Sequence, residues 1–162
     1  KRVWIQADRL GYHSATLYDL LNAPALECWT ALSALAALTE RIRLTPLVLG
    51  NTYRPPALLA KMSATLDVIS GGRTTAINAL GYDAAAFTAF GTTMRTRVSR
   101  FVETFEIMRL LWERENVTYK GRHYSFDAPI SLNPKPVSQP PPMWVAGGAE
   151  PAIKRAAKMG DG

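Results

Sequence analysis

The feature that most constrains this chain is a repeating unit: a short apolar run followed by an amphipathic helix. Strand-like runs begin near residues 14, 42, 73 and 143. The first two repeats are each about 30 residues long, the length of one βα crossover unit. Strands joined by such crossovers run parallel, and strands covered by helices read as continuous apolar stretches rather than alternating ones. Residues 42–49 are the clearest case. The implied fold class is α/β with a parallel sheet, either an open doubly wound sheet or a closed (β/α)8 barrel, and the pattern alone does not separate the two.

The helices follow from spacing and punctuation. A first helix closes at Gly11, and a second spans about 26–39, with Trp29, Leu32 and Leu35 at helical intervals. A third begins after Pro55-Pro56, with Leu58, Met62, Leu66 and Ile69 expected on its buried face. A fourth, 97–113, places Phe101, Phe105, Met108 and Trp112 on one side, and a short fifth covers 149–159. Between them, 116–142 interrupts the repeat. It reads as a hairpin around Lys120-Gly121-Arg122, then a rigid surface connection from 133 to 142 with five prolines and no PxxP spacing.

Several function classes are excluded at this level. The net charge of +6 comes from scattered residues, with one modest cluster at Arg95, Arg97 and Arg100 and no interleaved aromatics, so no nucleic-acid partner is expected. No apolar stretch approaches the ~18 residues of a membrane span. No signal peptide follows Lys1-Arg2, so a cytoplasmic protein is expected. The single cysteine, Cys28, excludes an internal disulfide framework, and its place in a helix beside Trp29 suits a buried structural thiol. His13 and His123 lack the spacing of a zinc site, and no metal is expected. Neither GxGxxG nor a P-loop is present.

Longer motifs then become specific. These include Glu27-Cys28-Trp29-Thr30, the run from Asn51-Thr52-Tyr53-Arg54-Pro55-Pro56 to Lys61, and Thr-Leu-Asp-Val-Ile-Ser-Gly-Gly-Arg at 65–73. Others are Asn133-Pro134-Lys135-Pro136 and Pro-Met-Trp-Val-Ala-Gly-Gly at 142–148. Together they resemble the luciferase-like monooxygenase family over nearly the whole chain, most closely its deazaflavin-using branch. The resemblance implies a (β/α)8 barrel, and coenzyme F420 or FMN as cofactor. The activity it implies is that of an oxidoreductase, a monooxygenase or a hydride transferase acting on a small organic substrate.

Typical barrels need ~250 residues. At 162 residues, the chain is expected to be a single partial barrel domain holding strands two to five. It would be a fragment, a shortened member or half of an assembly. Its barrel-interior face would carry residues such as Leu47, Leu49, Ile77 or Leu80, and a homo-oligomer is expected to cover it.

The site should lie at the C-terminal ends of the strands. Asp19 follows the first strand and is the one weak catalytic candidate. The resemblance places an Asp-His pair here, but this chain reads Asp19-Leu20, and leucine transfers no proton. Asp19 suits a helix cap or turn equally well. After the second strand the resemblance implies a non-proline cis peptide at Leu47-Val48, with Val48 and Gly50 against a cofactor ring. There Asn51 could bond the ring's polar edge, while Gly-Asn is equally a turn dipeptide.

In the third loop Gly81 and Tyr82 are cofactor candidates, and Asn78 is expected to point into the barrel. The following Ala84-Ala85-Ala86 departs from the family pattern, so pocket chemistry there is altered or lost. At the fourth loop, Ala146, Gly147 and Gly148 precede a helix, where exposed N–H groups suit a phosphate. A non-catalytic remnant, or a structural or cofactor-binding paralogue, is the alternative reading.

Overall fold

The computed structural model describes residues 2–138 and 140–162; Lys1, and Gln139 within the proline-rich stretch, lie outside the described residues. In chain order the main elements are α1 (Arg2–Arg9), β1 (Ser14–Leu17), α2 (Cys28–Ala36), β2 (Arg43–Gly50), α3 (Pro56–Ser70) and β3 (Ala76–Ala79). Then come α4 (Ala84–Ala89), α5 (Arg97–Glu113), β4 (Val117–Lys120), β5 (Ser125–Ile130), β6 (Met143–Val145) and α6 (Glu150–Met159). The strands β1, β2, β3 and β6 pair side by side in that order, all parallel, as the repeat requires. The insertion forms a separate antiparallel hairpin of β4 and β5.

One face of the sheet is packed under helices. Ala15, Leu44, Leu49, Ala76 and Met143 are all buried there in the core formed with α2, α3 and α5. On the other face a row of register partners, Leu47, Ile77 and Trp144, crosses three strands. Leu47 is 46% exposed and Trp144 44%. This row matches the expected open interior, with two corrections. Leu49 is fully buried, and Asn78, only 1% exposed, follows Ala76 on the helix-covered side rather than pointing into the barrel. The pairing register shifts between Leu47 and Leu49, so simple alternation along β2 fails there.

The helices mostly follow their periodicity. Phe101, Phe105, Met108 and Trp112 are all buried on α5, and full burial of one such side chain contributes about 1.5–3 kcal/mol. The face of α3 differs from expectation. Leu58 and Ile69 are about half exposed, while Leu59, Ala60, Ser63, Ala64, Leu66 and Asp67 are buried. The reason is close packing. Helix α3 lies against both α2 and α5, and small residues on its inner side let the backbones approach, so that Trp112 Nε1 donates to the Ala60 carbonyl at 3.0 Å. Helix α4 was not anticipated. Asp83 starts it, accepting the Ala85 N–H at 2.9 Å.

Two charges, the partly buried Arg73 and the buried Asp8, fasten the N-terminal ends of the strands. The Arg73 guanidinium donates to the carbonyls of Ala36, Thr39, Ile42 and Ser70. The Asp8 carboxylate accepts the N–H groups of Glu40, Arg41 and Ile42 at 2.7–3.1 Å. At the other side of the sheet, the Asp161 N–H donates to the Met143 carbonyl and the Val145 N–H to the Gly162 carbonyl, at 2.8 and 2.9 Å. The final residues thus pair along the outer edge of β6.

Burial alone would raise the pKa of Asp8, but the three N–H donors and Arg41 outweigh it and hold the pKa below the ordinary 3.8. A carboxylate with a depressed folded pKa stabilises the fold above its unfolded value and loses that contribution as pH falls through the folded one. Asp8→Ala should therefore lower stability near neutral pH by about 2–3 kcal/mol, since it strands three donors of a charge-assisted cluster. Urea melts should show the gap between the two proteins narrowing below pH 4, where Asp8 of the parent becomes protonated.

Candidate functional site

At the C-terminal end of the sheet the chain leaves each strand in a different way. After β1 it enters a long polar and apolar loop, 18–27, that ends where Glu27 caps α2 by accepting the N–H groups of Trp29 and Thr30. After β2 it turns tightly at Gly50, where an added Cβ would sit 2.6 Å from the Tyr53 ring. That ring is held in turn by stacking on Phe90, with centroids 4.5 Å apart. After β3 it turns at Gly81, whose φ of +78° favours glycine and whose position against Phe87 leaves little space for a side chain.

The Asp19 carboxylate, 5% exposed, ties the first two of these loops together. One oxygen accepts from the Gly50 N–H at 3.1 Å, and both oxygens receive the Arg54 guanidinium at 2.7 and 3.0 Å. Arg54 also bonds Glu27 at 2.6 Å. Burial would lower the pKa of Arg54, but Asp19 and Glu27 raise it above the ordinary value. For Glu27 burial works upward, and the donors Thr30 and Trp29, with Arg54, bring the pKa down. Asp19 is neither a cap nor a turn residue. It is a brace, and its oxygens are already engaged.

The sequence-derived candidates divide into two groups. Asp19, Val48, Gly50, Gly81 and Tyr82 line one narrow cleft of about 40 Å3 between the ends of β1, β2 and β3. The Leu47–Val48 peptide at its floor is cis. Asn51, the next residue after Gly50, does not line the cleft; it is 1% exposed, and among the described residues its Nδ2 has no hydrogen-bond partner. Ala146, Gly147 and Gly148 do not line this cleft. They leave the neighbouring strand β6, attached to β3 where the Ala146 N–H donates to the Asn78 carbonyl at 2.8 Å.

Residues singled out too weakly by sequence are Arg54, Glu27 and Tyr53. Their partners are distant in sequence, so no local spacing marks them. Cys28 is buried as expected. Burial first, then Asp19 and Glu27, push its thiol up to about 12, so it is inert as a nucleophile. Among the described residues no group of three or more His, Cys, Asp and Glu side chains could hold a metal ion.

A family model described as luciferase-like monooxygenase matches residues 2–162. The chain belongs to that family. This luciferase-like chain is 34% identical to an F420-dependent glucose-6-phosphate dehydrogenase of Kineococcus radiotolerans, an alignment covering 98% of the chain and 49% of the relative. Among solved structures it is similar to the monooxygenase RslO1 of Streptomyces bottropensis, with a TM-score of 0.89, 31% identity, and coverage of 96% and 49%. It is also similar to an F420-dependent secondary alcohol dehydrogenase in complex with an F420–acetone adduct, with a TM-score of 0.87, 25% identity, and coverage of 99% and 51%. The chain spans about half the length of the relatives it matches.

A flat cofactor of the luciferase-like kind fits what is present. The cleft itself holds little more than a water, so a ring would rest over it, against the Val48–Gly50 backbone and Gly81. The unmet Asn51 donor is the kind of group a ligand carbonyl satisfies. Helix α6 has no side-chain cap on its first turn, and the space around Gly148 is open. Gly147 is required for a different reason: a Cβ there would lie 2.5 Å from that of Ala152. Glu150 stands in the same first turn, paired with Lys154 at 2.6 Å.

Removing one partner of a buried pair leaves the other charge uncompensated, typically at a cost of 3–5 kcal/mol. Arg54→Ala should therefore cost stability on the order of 3 kcal/mol. In a denaturant-melt cycle, adding Asp19→Asn should recover part of that loss, because the stranded charge disappears.

Proposed function

We propose that this chain supplies the cofactor-binding half-barrel of an F420- or FMN-dependent oxidoreductase acting on a small organic molecule. The observation that carries the reading is the convergence of Val48, Gly50, Gly81 and Tyr82 at the C-terminal ends of adjacent parallel strands, in a chain of this family. When bound, the cofactor supplies the redox chemistry, accepting or giving a hydride in the deazaflavin case. The residues of the chain bind and orient it. The Val48–Gly50 segment and Gly81 give the ring a flat seat, Tyr82 covers its edge, and Asn51 offers a donor to a ring carbonyl. Gly147 and Gly148, with Ala146, present the α6 N-terminus to the phosphate, whose charge the helix dipole favours.

One specific observation favours the second reading, a non-catalytic cofactor binder. Leu20 stands where a proton carrier is expected, and the adjacent Asp19 is consumed by Arg54 and Gly50. Titration with each cofactor tests the first step shared by both readings. F420 or FMN should bind with quenched fluorescence, and turnover then separates an enzyme from a binder. Gly148→Asp, at a position with open space, should weaken F420 at least tenfold. The same substitution should leave a deazaflavin lacking the phosphate unaffected.

The remaining expectations are part of the same proposal. Among the described residues no helix is long and apolar enough to cross a membrane, and a cytoplasmic enzyme with no nucleic-acid partner is the setting we propose. The open row of Leu47, Ile77 and Trp144 is to be covered by further barrel structure, from a second copy of the chain. Light scattering of the 17.8 kDa chain should then give the mass of a dimer or larger, and a well-behaved monomer with cooperative unfolding would overturn it.

A further inference from the structure

Beside the cleft lies a second, larger pocket of about 300 Å3, between the 18–28 loop and Tyr53, Arg54 and Phe90. It shares Asp19, Leu20 and Tyr53 with the cleft, so the two are neighbours. Its volume is at the small end of ligand pockets. Its outer wall is apolar: Tyr18, Leu20, Leu21 and Leu26 all stand exposed around it.

The charges on this wall decide what it can take. Among the described residues Arg54 is its single cation, and that guanidinium is committed to both oxygens of Asp19 and one of Glu27. One positive charge thus faces two carboxylates, and a third, Asp83, stands in the adjoining cleft, held by Asn22 at 3.3 Å. Tyr53 adds no anion, since burial and then Asp19 push its hydroxyl pKa up. A phosphate or carboxylate entering here would be desolvated against a net negative wall with no free donor cation, which is strongly unfavourable. An apolar body would displace water from leucine and tyrosine surface instead.

We infer that the substrate taken beside the cofactor is a small, uncharged, largely apolar molecule, and not a phosphorylated or carboxylated one. This rests on the oxidoreductase reading above for the position of the reacting carbon, but the pocket's preference for neutral ligands is a property of the chain alone. The preference therefore differs from that of a sugar-phosphate site, which needs cations placed to meet the phosphate.

Ligand-observed NMR titration of the full chain, with and without F420, tests this with two probes, cyclohexanone and glucose 6-phosphate. Cyclohexanone should bind at least tenfold more tightly. Leu21→Arg, at an exposed position of the wall, should weaken cyclohexanone and strengthen glucose 6-phosphate, each by about tenfold, with the circular dichroism unchanged. Equal or tighter binding of glucose 6-phosphate to the parent overturns the inference, as does binding of neither probe or indifference of both to Leu21→Arg. Cyclohexanone binding by a chain that takes up no F420 supports the inference while removing the cofactor reading. F420 uptake with preference for the phosphate ester does the reverse.

Discussion

The Asp19–Arg54 ion pair organises the β1 and β2 side of the C-terminal end of the sheet. It joins the loop after β1 to the segment after β2, and through Glu27 it reaches the start of α2. Arg54 also lies over the Trp29 ring at 6.0 Å, so the guanidinium is packed as well as paired. Parallel strands end in loops that share no backbone ladder with one another. Without a crosslink of this kind, those loops would keep their own conformational freedom, and the cleft they surround would have no fixed shape.

The two ends of the sheet use the same device with opposite consequences. At the N-terminal end Asp8 and Arg73 spend their hydrogen-bonding capacity on backbone groups and bury the turns between helices and strands. At the C-terminal end the charges also satisfy one another, yet they leave glycine backbone and apolar loop surface facing outward. Stability and ligand contact are thereby separated onto opposite ends of the strands, the division expected of barrels of this type.

Much of the architecture was legible because it rests on local pattern. The βα repeat located all four parallel strands, the α5 periodicity named its buried face, and Lys120-Gly121-Arg122 marked the hairpin. What failed did so for non-local reasons. The inner side of α3 is lined by Ala60, Ser63 and Ala64, which no hydrophobicity count selects, because their value is their small size against α5. Asn78 is polar yet lies under helices, and the shift of register beside it is invisible in a string of letters. The brace at Asp19 joins residues 35 positions apart, and Arg54 had only Pro-Pro as a neighbour to announce it. At the site, family motifs pointed to Val48, Gly50, Gly81 and Tyr82, and the fold brings these four to one cleft. The β6 glycines lie one strand further along.

The excursion between β3 and β6 carries a last consequence, in chain entropy. These two strands are neighbours in the sheet, yet α4, α5, the β4–β5 hairpin and the proline-rich stretch all intervene. Closing a loop costs free energy only as the logarithm of its length, roughly 0.6 kcal/mol for each doubling. An excursion a little over twice the usual crossover is therefore nearly free as far as closure is concerned. Its own hairpin and helix also repay their ordering through α5, which supplies the core with Phe101, Phe105 and Trp112. A sheet built this way can accept new segments at this crossing without renegotiating the strands on either side. The β3–β6 connection is thus the place where the chain has most freedom to acquire structure.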